Sequence, residues 1–90
     1  MTSDRHIRLK RIRFRCWHRG TKEADLILGP FADRCLASLD DAEVAALEGL
    51  LEAPDTDFVK WVTGALPPAA EHDGPLLARI VDAYRDGPAR

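Results

Sequence analysis

The chain is short of most residue types from which catalytic and metal sites are built. It has only two cysteines, Cys16 and Cys35, far apart and without a C-x-x-C pair. That excludes a zinc ribbon or thioredoxin-like motif and fits a reducing compartment, so both are read as small apolar residues. Its three histidines, His6, His18 and His72, are scattered among charged and loop residues, and no spacing points to a metal. There is no Gly-rich phosphate loop and no nucleophile elbow, so neither a nucleotide site nor a site for free FAD can be read from the chain, and an enzyme is not expected. Long apolar runs are missing too: nothing approaches the roughly 20 residues that cross a bilayer, and the N-terminus lacks the apolar core of a secretory signal. A soluble intracellular protein without membrane insertion is expected.

What is present is one small domain with a strong charge asymmetry. Residues 1–22 hold eight bases against one acid, a charge of +7, while residues 23–90 hold five bases against fourteen acids, a charge of −9. A basic arm on an acidic body is compatible with nucleic acid, an anionic membrane surface or an acidic protein partner. It is equally compatible with a solvated basic helix resting on its own acidic body. Phe14 and Trp17, interleaved with the arm's bases, keep nucleic-acid binding open as the rival from another class, a small nucleic-acid-binding or regulatory helical protein. The acidic remainder would repel a polyanion, and no helix-turn-helix pattern stands out.

Between Arg5 and His18, Leu9, Ile12 and Cys16 follow helical spacing, while Ile12, Phe14 and Cys16 also alternate as in a strand. Helix is preferred, because a lone strand would have no sheet to join. A second helix starts near Lys22 and carries Leu26, Ile27, Phe31 and Leu36 toward a core; Gly29-Pro30 predicts a kink or break, with a last turn to about Ala37. Asp40 with Glu43 three residues later reads as a capping box for a third helix with Val44, Leu47, Leu50 and Leu51 inward. Asp55 is expected to cap a fourth helix, with Phe58 and Trp61 as core anchors. After an exposed Pro- and Ala-rich loop, Asp73-Gly74-Pro75 opens a fifth helix with a stripe of Leu77, Ile80, Val81 and Tyr84, ended by Gly87-Pro88. The expected fold is an all-α, five-helix bundle, one domain over 1–90, with 1–5 and 86–90 frayed.

The basic and acidic parts meet at Arg19-Gly20, followed by Glu23 and Asp25. A lone Gly between two helices is a corner residue, and Glu23 then lies near the positive end of the next helix dipole. The same corner also makes a compact Arg-carboxylate patch fit for docking another protein. Arg19, Gly20 and Glu23 match R-G-x-x-E, with Asp25 and the apolar run Leu26, Ile27, Leu28 and Phe31 behind it. With the segments Leu39–Glu52 and Asp55–Trp61 in order, the chain from about Arg8 to Tyr84 resembles the SdhE-type succinate dehydrogenase assembly factors.

The resemblance implies a helical assembly factor that binds the FAD-loaded flavoprotein subunit of succinate dehydrogenase, with fumarate reductase as a further client, and promotes covalent attachment of the flavin. FAD is then the partner's, and the factor has no cofactor or metal of its own. Carried over by motif position, Arg19, Gly20 and Glu23 form the contact surface, with Asp25 adjoining. The charge pattern adds Arg8, Arg11, Arg15, Trp17 and His18 as a surface that steers the arm toward an acidic partner. A monomer in a bacterial cytoplasm is expected, since no Arg- and Ser-rich presequence precedes Arg5; a mitochondrial-matrix form would require one to have been removed.

Overall fold

Helical spacing decides the first element: Ile12 and Cys16 are buried, whereas Phe14 between them is 64% exposed. A strand would have placed all three on one face. The chain instead forms α1 over Asp4–Trp17. The structure, a computed structural model, describes residues 4–85. Of the ends expected to fray, 1–3 and 86–90 lie outside the described residues, as does Gly87-Pro88, while Asp4 and Arg5 belong to the first turn of α1. Cys16 is fully enclosed, and burial pushes its thiol up to about 12, which leaves it an inert apolar packing group.

The second helix, α2, runs over Lys22–Cys35 and tightens into a 3-10 turn at Leu36–Ser38. The expected break at Gly29-Pro30 is absent, and the reason is energetic. Proline in a helix interior costs about 3 kcal/mol. Burying Ile27, Leu28 and Phe31 on both sides of it contributes about 1.5–3 kcal/mol each. Gly29 also lacks the Cβ that would otherwise clash with the proline ring. By helical spacing Pro30 and the residue four before it, Leu26, share the outer side of α2, and Leu26 is 51% exposed. Leu26 therefore does not enter the core; Leu28 and Ala24 do.

Three further helices follow: α3 over Asp41–Leu50, α4 over Asp55–Thr63 and α5 over Pro75–Arg85. The capping box of α3 forms as expected, Glu43 N–H donating to Asp40 at 2.8 Å and Asp40 N–H to Glu43 at 3.0 Å. The Asp40 N–H, and after it the Arg79 guanidinium, hold the Glu43 carboxyl below the usual range. Asp55 is not a cap. Pro54 holds that position without a side-chain bond, and Asp55 begins the helix with its carboxylate turned to Arg19. The connection from α4 to α5 is mostly exposed and contains a short 3-10 turn, Ala70–His72.

Among the described residues the fold is all-α, a five-helix bundle with α2 packed against α1, α4 and α5, and α3 against α5. Phe58, Leu28, Ile12, Leu47, Ile80 and Val44 fill its centre. In α5 the inward stripe is Leu76, Leu77 and Ile80, while Tyr84 is largely exposed. Trp61 also departs from expectation. Its neighbour Phe58 takes the core position, and Trp61 covers the edge of the cluster with its ring 5.5 Å from that of His72. Trp61→Ala is therefore expected to cost about 1–2 kcal/mol, below the 3–5 kcal/mol of a fully buried aromatic, and to leave a folded bundle in a thermal melt. Global unfolding of that variant would return Trp61 to the core.

Candidate functional site

The corner between α1 and α2 is built from its backbone outward. Gly20 has φ +103°, a conformation that side chains rarely adopt, and it is exposed. A Cβ there would meet only Asp55 Oδ2, at 3.9 Å, so any substitution carries backbone strain of about 1–3 kcal/mol rather than a steric clash. Thr21 then caps α2, its hydroxyl accepting from Ala24 N–H at 3.3 Å. Glu23 lies exposed in the first turn of α2, where the helix dipole favours its charge. Among the described residues Glu23 makes no ion pair.

Arg19 and Asp25, read from the sequence as facing a partner, face inward. Only 12% of the Arg19 side chain is exposed, and 15% of that of Asp55. The guanidinium donates through Nε to Asp55 at 2.9 Å, through NH1 to the Leu51 carbonyl at 2.6 Å and through NH2 to the Ala53 carbonyl at 3.1 Å. One planar fork thus ties the α1–α2 corner to the α3–α4 connection. Asp25 accepts from the Arg19 backbone N–H at 2.6 Å and so closes the corner from the other side. These two residues position the corner, and its accessible polar surface is His18, Gly20, Thr21, Lys22 and Glu23.

At 100° per residue α1 has four faces, and the structure uses each differently. Leu9, Ile12 and Cys16 point into the core. On one flank Arg8 forks onto Glu48, Nε at 3.1 Å, and Arg15 pairs with Glu52. The bond from Arg8 holds the Glu48 carboxyl below its ordinary range. On the other flank Arg13 pairs with Asp33 at 2.7 Å. Trp17, expected to face a partner, lies there half-buried: its ring rests on Gly29 and its Nε1 donates to Asp33 at 3.2 Å. The outer face carries Ile7, Arg11, Phe14 and His18, where the His18 ring stacks on Phe14 with centroids 4.0 Å apart. His18 Nδ1 donates to the Phe14 carbonyl at 2.7 Å.

Arg5–Asp41 adds one more link between arm and body. Five bases of the arm thus meet acids of the same chain, and among the described residues Lys10, Arg11 and Lys22 have no ion pair. This is the arrangement of a basic helix resting on its own acidic body. It gives no support to nucleic-acid binding, which needs cations free to replace condensed counterions. Sequence reasoning did not find Asp55, Asp33 or Gly29 as supports of the site, because each acts on a residue distant in the chain. Phe14 did carry a signal, since it falls opposite Ile12 and Cys16 in the helical register. Among the described residues no three His, Cys, Asp or Glu side chains gather as metal ligands, and no helix is long and apolar enough to cross a membrane.

Fold and site together define a small all-α protein whose distinctive surface is a polar corner between two helices beside a cationic helix face. Over residues 10–84 the sequence matches the family described as flavinator of succinate dehydrogenase, and the chain belongs to that family. It is 36% identical over 78 residues to the FAD assembly factor SdhE of Acetobacter pasteurianus, which covers 87% of this chain and 72% of that protein. Identity is 41% over 54 residues with the FAD assembly factor SdhE of Aliivibrio fischeri, covering 60% of this chain and 62% of the relative. It is 38% over 63 residues with the mitochondrial succinate dehydrogenase assembly factor 2 of Mycosarcoma maydis, covering 70% of this chain and 26% of that longer protein.

Proposed function

We propose that the chain binds the FAD-loaded flavoprotein subunit of succinate dehydrogenase through the α1–α2 corner and thereby promotes covalent attachment of the flavin. Membership of the flavinator family makes it an assembly factor for succinate dehydrogenase flavinylation, and its relatives occur in bacteria and mitochondria. The choice of the flavoprotein subunit as the surface it meets, of fumarate reductase as a second client, and of a monomer acting in a bacterial cytoplasm belong to the same reading. FAD in this reading stays with the partner, and the factor contributes no covalent step. Its part is positioning: holding the partner so that the accepting side chain and the flavin meet, and placing charge beside the flavin.

The observation that carries the proposal is the exposed Glu23, unpaired among the described residues and displayed beside Gly20 on a corner that Arg19 and Asp25 hold in place from within. Co-expression with a succinate dehydrogenase flavoprotein subunit, scoring covalent flavin by in-gel fluorescence after denaturation, tests it. Glu23→Lys is expected to reduce covalent flavin to the level seen without the factor. The variant's Tm should change little, because an exposed first-turn carboxylate contributes only about 0.3–1 kcal/mol to its helix. Full flavinylation by Glu23→Lys would remove the corner from the interface.

A further inference from the structure

Among the described residues nothing packs over the outer face of α1, yet it is not the polar face a solvated helix would show. Ile7, Arg11, Phe14 and His18 fall within a narrow arc opposite Leu9, Ile12 and Cys16 and run about 16 Å along the helix axis. Ile7 is 41% exposed and Phe14 64%, the most exposed large apolar side chain among the described residues. Both flanks of the helix are engaged, Arg8 and Arg15 with Glu48 and Glu52, and Arg13 and Trp17 with Asp33, so the helix cannot roll to hide this strip.

We infer that this strip is a second docking surface for the flavoprotein partner, and that it takes an acidic segment with an apolar face. Three features set the chemistry. The Phe14–His18 ring pair is an apolar anchor whose geometry is already fixed by the His18 Nδ1 bond to the Phe14 carbonyl, so little side-chain freedom is lost on docking. Arg11 lies between Ile7 and Phe14 without an intramolecular ion pair among the described residues, ready to receive a carboxylate. Alongside runs an open groove of about 500 Å³ lined by Ile7 and Ile12, by Asp4 and Glu48, and by Arg8, Arg11 and Arg15; Arg8 and Arg15 are neutralised by Glu48 and Glu52, which leaves Arg11 as the cation the groove offers a partner. The strip is continuous with the corner, since His18 directly precedes Arg19 and Gly20. It extends the function proposed above and rests on it.

The test is the affinity of the full chain for the FAD-loaded flavoprotein subunit, measured by titration calorimetry at low and high salt. Phe14→Ala is expected to weaken binding about tenfold or more at both salt concentrations, with an unchanged melt because the ring is exposed. Arg11→Glu should weaken it strongly at low salt and much less at high salt, while Lys60→Glu on α4, the same charge change elsewhere, should have no effect. Wild-type affinity in both Phe14→Ala and Arg11→Glu, with Glu23→Lys still defective, overturns the strip and leaves the corner standing. Absence of binding by the unaltered chain overturns both. Loss of self-association in Phe14→Ala, with unchanged affinity for the flavoprotein, would assign the strip to a second copy of this chain and overturn the partner assignment.

Discussion

Arg19→Ala is expected to lower the stability of the bundle by about 2–3 kcal/mol, because it takes the donor from a part-buried carboxylate and two backbone carbonyls at once. In a domain of this size that is a fall in Tm of about 8–24 °C. The side chain left behind is Asp55, itself only 15% exposed, and the carbonyls of Leu51 and Ala53 lose their donor in the same step. The exposed Arg5–Asp41 pair sets the contrast: it is an ordinary surface bridge, and such bridges contribute about 0–1 kcal/mol. Chemical denaturation read by far-ultraviolet circular dichroism gives the stability directly. A variant as stable as the unaltered chain, yet unable to support flavinylation, would show that Arg19 serves the partner and not the fold.

That expectation also separates the members of the R-G-x-x-E pattern. Arg19 acts through the corner it fixes, with Asp25 closing the corner from behind, whereas Glu23 stands at the surface. The spacing of these residues was legible in the sequence, but their directions were not. An arginine next to a corner glycine has no local reason to turn inward; the reason lies 32 to 36 positions away, in two carbonyls and a carboxylate that need a donor. The helices themselves were legible wherever a local signal marks an end, as at the Asp40–Glu43 box or at Pro75. The basic arm was legible as a charge pattern that left several partners open. Its flanks are closed by Glu48, Glu52 and Asp33, and no sequence period shows which acids those will be. Where the reading failed at Pro30, a local rule was outweighed by side chains buried on either side of it.

Gly29→Ala supplies the second large effect, and two terms of opposite sign decide it. In a helix interior the substitution gains about 1 kcal/mol from intrinsic propensity. At Gly29, however, a Cβ would lie 2.5 Å from Cε2 and Cε3 of Trp17, well inside van der Waals contact. The indole is rigid and half-buried, and its Nε1 bond to Asp33 holds it in place, so it can move only by giving up that bond and its seat on α2. Overpacking of this kind typically costs about 1–3 kcal/mol, to which the lost hydrogen bond adds about 1 kcal/mol, so the clash outweighs the propensity gain. Net destabilisation of about 2 kcal/mol is the expected result of Gly29→Ala alone. In a Trp17→Ala background the obstacle is gone, and the same substitution should become neutral or stabilising through propensity. A double-mutant cycle therefore measures how firmly α1 is seated on α2, and a coupling near zero would mean that the indole leaves Gly29 freely. Because Trp17 is the last residue of α1, the same cycle reports on how firmly the helix end that leads into the Arg19-Gly20 corner is anchored on α2.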